Sequence, residues 1–175
     1  MTSEKCMNTS WLIARIALGF IVIWAFFDKA FGLGFSTCRD ATTKTVAVMC
    51  KSAWFSGGSP TAGFLSHASG PLGSLFQNLA GLGIIDFLFM ISVLAIGLAL
   101  ILGAGFRLAG YGGAALMILI YLASFVPSSN PLFDAHIVNL SVFLLLATFY
   151  ESAGAYGLSK WWRGLSFVKD RKWLW

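Results

Sequence analysis

The sequence predicts an all-α protein: a four-helix transmembrane bundle with a long extracytoplasmic first loop that carries short amphipathic helices. Three observations predict it. Trp11 to Phe27 is apolar apart from Arg15, Phe87 to Phe106 and Leu108 to Val126 carry no charge, and Ile137 to Tyr150 again carries none. Each run reaches or approaches the length that crosses a hydrocarbon core of roughly 30 Å at about 1.5 Å per helical residue. The composition is 58% hydrophobic and 11% charged, with a mean hydropathy of +0.80, and the surface of one small soluble domain does not accommodate that.

Helix one is expected over about 11–31. It begins near the N-terminus, but it is too long for a signal-peptide core, is interrupted by Arg15, and leads into Asp28-Lys29 with no small-residue cleavage pattern. It reads as a retained anchor. An outer loop of about 32–81 follows. In it Ser59-Pro60 reads as an N-cap and first helical residue, and Leu72, Leu75, Phe76 and Leu79 recur at helical spacing after Gly70-Pro71.

Helix two is expected over about 84–102, Gly103 to Arg107 as a tight connection, and helix three over about 108–125. Pro127 to Pro131 then make a second turn. Helix four, over about 131–152, starts with Asn130 as N-cap and Pro131 in the first helical position. The short connections make helices two, three and four successive antiparallel neighbours.

Lys and Arg number seven in the N-terminal segment, second loop and tail, against three (Arg39, Lys44, Lys51) in the first loop. The positive-inside rule therefore puts both termini in the cytoplasm of a prokaryotic cell membrane. In the tail, 157–175, Trp161, Trp162, Trp173 and Trp175 interleave with five cations. That pattern fits an interfacial belt on anionic membrane lipid. A basic stripe of the kind that binds nucleic acid is lacking, although the net charge is +5.

Cys38 and Cys50 lie in the outer loop, flanking a polar, Thr-rich stretch, and are the natural disulfide pair in an oxidising compartment; Cys6 falls on the other side. The pair reads either as a loop staple or as a thiol that exchanges with a sulfur substrate. No spacing offers a metal or haem ligand set, and no phosphate loop or Ser/His/Asp grouping is present.

Ionisable residues at membrane depth are costly unless paired or hydrated. Asp28 and Lys29 at the outer end of helix one, Asp86 at the start of helix two, and Asp134 and His136 at the start of helix four are expected at one level, with Asn139 a turn deeper. These five are the candidate catalytic residues: Lys29 and His136 would hold a polar or anionic head group and the carboxylates would pass protons. The alternative is that Asp28-Lys29 is an interfacial charge pair and Asp134 a helix-dipole partner. Trp24 and Phe31, with Asn139, are the candidate quinone-binding residues; aromatic side chains at that depth also serve as a lipid belt. Arg15, a turn inside helix one, is expected either to pair with Glu151 at the inner end of helix four or to snorkel to lipid phosphate. The glycines, Gly19 and those around the second loop, read as close helix contacts.

Arg15-x-x-x-Gly19 followed by Asp28-Lys29, then Gly57-Gly58-Ser-Pro-Thr-Ala-Gly63-Phe64-Leu65, Asp86-Phe-Leu-Phe-Met90, Asn130-Pro131-x-x-Asp134-x-His136-Ile137 and Gly157-Leu-x-Lys160-Trp161-Trp162 together resemble the DoxX/DoxD family of four-helix membrane proteins. The resemblance covers nearly the whole chain. It implies, through the DoxD branch, the large subunit of a thiosulfate:quinone oxidoreductase, which couples two thiosulfates to tetrathionate, reduces a membrane quinone and works with a smaller DoxA-like partner. Other branches imply a non-catalytic membrane subunit, or an assembly or anchor protein of a respiratory or thiol-stress complex. The family brings no established catalytic set to carry over, and no segment of this chain resembles the small partner.

Overall fold

The computed structural model describes residues 3–126, 130 and 132–175. In chain order its helices are α1 (Ser3–Phe31), α2 (Ala62–Leu65), α3 (Gly73–Asn78), α4 (Gly83–Leu102), α5 (Phe106–Ala123), α6 (Ala135–Thr148), α7 (Tyr150–Ala153) and α8 (Ser159–Gly164). Single 3₁₀ turns lie at Trp54–Ser56 and Lys172–Leu174. Among the described residues the one extended pairing is an isolated antiparallel bridge between Arg39 and Val46.

Three helices, α1, α4 and α5, are long and apolar enough to cross a membrane. α1 begins well before the apolar run, because Glu4 in its first turn suits the N-terminal dipole and the hydroxyls of Thr9 and Ser10 bond to the Lys5 and Cys6 carbonyls one turn back. Hydropathy marks the span and not the helix. α6 corrects the expectation of one helix over 131–152: it has 14 residues, about 21 Å at the α-helical rise. It breaks at Phe149 before the single turn of α7. Its N-cap is Asp134, not Asn130, whose Oδ1 instead accepts from the Leu132 and Phe133 amides. The expected helical start at Pro131 and the turn over 127–129 lie outside the described residues.

The chain resolves into two compact units, and α1, α4 and α5 contribute residues to both. One unit comprises Met1–Val22, Ala95–Tyr121 and Pro127–Trp175. Here glycines set the helix contacts: a Cβ on Gly19 would meet Leu100 Cβ at 2.9 Å, and one on Gly110 would meet Ala147 Cβ at 2.6 Å and the Phe143 carbonyl oxygen at 2.7 Å. Leu18, Leu100, Phe106, Phe143, Leu146 and Val168 are buried around these contacts. Gly103, at φ +78°, ends α4 in the left-handed conformation that a side chain would disfavour. Its amide donates to Ala99 O at 3.0 Å.

The other unit comprises Ile23–Leu94 and Leu122–Val126, and holds the 32–81 loop. Gly32, at φ +69°, closes α1, and a Cβ there would fall 2.2 Å from Cys38 Sγ. Cys38 and Cys50 are disulfide-bonded, with Cα atoms 5.7 Å apart, and Met49 N donates to Phe31 O at 2.7 Å, so the loop returns to the end of α1. The α2–α3 region is tied down by Ser69, whose hydroxyl donates to Phe125 O at 2.6 Å and whose amide donates to Ala123 O at 3.1 Å. Leu65, Ala68, Phe76 and Ala123 form a small core there. α2 starts at Ala62, two residues later than Ser59-Pro60 suggests. On α3 only Phe76 of the expected stripe is buried, while Leu72 and Leu75 are exposed.

Candidate functional site

α1 delivers Asp28 to the root of the loop, where it is 1% exposed. Its Oδ1 accepts from the Phe35 amide at 2.9 Å, and its Oδ2 accepts from the Ser36 amide at 2.9 Å and the Ser36 hydroxyl at 2.7 Å. Lys29 Nζ donates to the same Ser36 hydroxyl at 3.2 Å. The result is a Lys29–Ser36–Asp28 chain that folds residues 34–36 back onto the helix end. At the start of α4, Asp86 Oδ1 accepts from the Ser59 hydroxyl at 2.8 Å, the Thr61 amide at 3.1 Å and the Thr61 hydroxyl at 2.6 Å. Ser59 Oγ in turn accepts from the amide of Ala62, the first residue of α2, at 3.0 Å. Both carboxylates, expected as proton carriers, are taken up in holding the loop. Ser59 was legible only as a helix cap, and Ser36 and Thr61 did not stand out as partners of a carboxylate, because hydroxyl residues in a polar loop carry no periodic signal.

Asp134 and His136 form a different arrangement in the other unit. Asp134 has extended backbone and caps α6: its Oδ1 accepts from the His136 amide at 2.9 Å and the Ile137 amide at 3.3 Å. Its Oδ2 lies 2.6 Å from His136 Nδ1, the only ion-pair contact within 4.0 Å among the described residues. Burial opposes ionisation of Asp134, but hydrogen bonds from the His136 ring and the Ile137 and His136 amides outweigh it and hold the carboxyl below its usual range. The carboxylate therefore fixes the imidazole with Nδ1 protonated, and Nε2 has no hydrogen-bond partner among the described residues. The His136 side chain is 33% exposed. A carboxylate-oriented imidazole with one free nitrogen can take up and release a proton. Asn139, half-buried, follows one turn along α6.

Trp24 packs edge-on to Phe35, and Phe31 stacks on Phe27 and meets Phe55 edge-on. These rings continue through Phe55 to Trp54. They link the end of α1 to the loop as an aromatic ladder.

Arg15 corrects a further expectation. It is 2% exposed, and its Nη1 donates to Ala153 O at 2.9 Å and to Tyr156 O. Glu151, the expected partner, is exposed and its carboxylate accepts from the Tyr150 hydroxyl at 3.5 Å. The guanidinium thus meets the carbonyl of the last residue of α7 and one in the segment that follows it. It also lies over the Phe106 ring. Cys6 is a free, exposed thiol, and no group of three metal-ligating side chains occurs among the described residues. Family models, curated proteins and solved structures give no match to this chain.

Proposed function

We propose that this chain is the membrane subunit of a quinone-linked oxidoreductase of the DoxX/DoxD type, oxidising thiosulfate or a related sulfur compound on the outer face of a prokaryotic cell membrane, with a DoxA-like or respiratory partner. The single observation that supports it is the Asp134–His136 pair at 2.6 Å, with Nε2 unengaged among the described residues. α6 would then complete a four-helix bundle with both termini cytoplasmic, in keeping with the Lys/Arg distribution. His136 fits a quinone: as imidazolium its Nε2–H can donate to a quinone carbonyl oxygen, and the neighbouring Leu132 and Phe133 are exposed and apolar. When bound, a quinone would supply the two-electron acceptor. The chain's own part is to hold a proton on His136 Nε2, stabilise the imidazolium through Asp134, and release the proton to the acceptor side.

A second reading, a non-catalytic subunit or anchor, is favoured by a different observation. Asp28, Asp86 and the Cys38–Cys50 bond all serve to fix the loop, which presents Phe35, Val48 and Phe55 to the outside of the fold. Membranes with and without the chain separate the two. Thiosulfate-dependent reduction of an added quinone analogue that is lost with the chain, and lost again with His136→Gln in a normally folded protein, supports the first. Reduction unaffected by either leaves the second.

A further inference from the structure

The tail repeats one polarity twice and splits its tryptophans into two jobs. Trp162 Nε1 donates to Leu174 O at 2.7 Å, and Trp175 packs against Tyr150 and beneath Arg163 and Lys172. With Val168 buried, these rings close the tail into a folded cap. The cap is bonded to the α4–α5 turn: Leu158 N donates to Leu102 O at 3.0 Å, Arg107 N to Trp175 O, and Arg107 Nη1 to Lys172 O at 3.2 Å. That turn joins two helices long enough to cross a membrane, so the cap stands at a bilayer surface. Trp161 and Trp173 are not used in the cap; they are 60% and 62% exposed. Lys160, Lys169 and Arg171 are exposed with them, and Asp170 is the sole acid of residues 157–175.

We infer that the folded tail is a preformed docking surface for anionic phospholipid head groups, with Lys160, Lys169 and Arg171 meeting phosphate and Trp161 and Trp173 seated among the glycerol and head-group atoms. Cations near a membrane surface favour anionic lipid, and indoles favour the interface whatever its charge. The folded cap holds both in place before lipid arrives, which lowers the ordering cost of binding. The inference rests on membrane insertion and not on the quinone reading, and stands or falls apart from it.

The full chain, purified in mild detergent and offered equal phosphatidylglycerol and phosphatidylcholine, tests it by mass spectrometry of retained lipid. Wild type should retain phosphatidylglycerol in preference. Lys160→Gln, Lys169→Gln and Arg171→Gln should each lower that preference about fivefold, and raising salt should lower it in the unmodified chain. Trp161→Ala with Trp173→Ala should reduce retention of both lipids. Equal retention by wild type, a preference indifferent to salt, or capture of an acidic polypeptide without any lipid preference would overturn the inference.

Discussion

Arg15 lies on a helix long and apolar enough to cross a membrane, where a guanidinium costs several kcal/mol unless its charge is met, and it is met by carbonyl oxygens. Arg15→Met is therefore expected to destabilise by about 1.5–3 kcal/mol, the usual worth of hydrogen bonds to a charged group, while Glu151→Gln should stay within about 0.5 kcal/mol. Thermal unfolding in detergent measures both; equal losses would restore the ion pair. The charges at membrane depth were legible in the sequence because each breaks an apolar run. Their partners were not, since main-chain carbonyls and amides are present at every residue and only folding selects which ones meet a charge. Asp134 adds a pH dependence. Its folded-state carboxyl is held below the usual range, so its stabilisation is present above the unfolded value of about 3.9 and is lost as pH falls through the lower folded value. Asp134→Asn, which keeps a capping oxygen, should flatten that acid limb with little loss at neutral pH, as followed by circular dichroism from neutral to acid pH.

At the scale of elements, apolar length located α4 and α5 to within about two residues, because hydropathy and helix coincide where a chain crosses lipid. It failed at α6. Asn130 and Asp134 are both competent caps, and the one that holds the helix is chosen by backbone conformation, which spacing does not reveal. The glycines of α5 illustrate how packing divides residues alike in sequence. Gly110→Ala would set a Cβ against the Phe143 carbonyl and Ala147 and force α5 from α6, whereas at Gly112 the nearest atom, Ile96 Cδ1, is 4.0 Å away. Overpacking is expected to destabilise Gly110→Ala by about 1–3 kcal/mol; Gly112→Ala should be neutral or gain up to about 1 kcal/mol of helix propensity. Melting temperatures of the two variants side by side check this, and equal behaviour would contradict the close α5–α6 contact.

For the whole molecule, the three long apolar helices and the disulfide-closed loop were both legible, the first from composition and the second from two cysteines in one polar segment. The two loop anchors were not, because Asp28 and Asp86 looked like membrane-depth proton carriers until Ser36 and Thr61 were seen to occupy them. With seven Lys and Arg against three, both termini should be cytoplasmic and the 32–81 loop outside. Single cysteines introduced at the exposed positions His67 and Lys160 should react and fail to react, respectively, with an impermeant reagent on intact cells. The central claim, that the Asp134–His136 pair carries protons for quinone reduction, meets its most direct test in the pH profile of thiosulfate-dependent quinone reduction for wild type and His136→Gln. The account predicts a fall of about 10²- to 10⁴-fold in turnover, with a changed pH profile, in a variant whose melting temperature is close to wild type. A stable His136→Gln protein with wild-type turnover and an unchanged profile would contradict it.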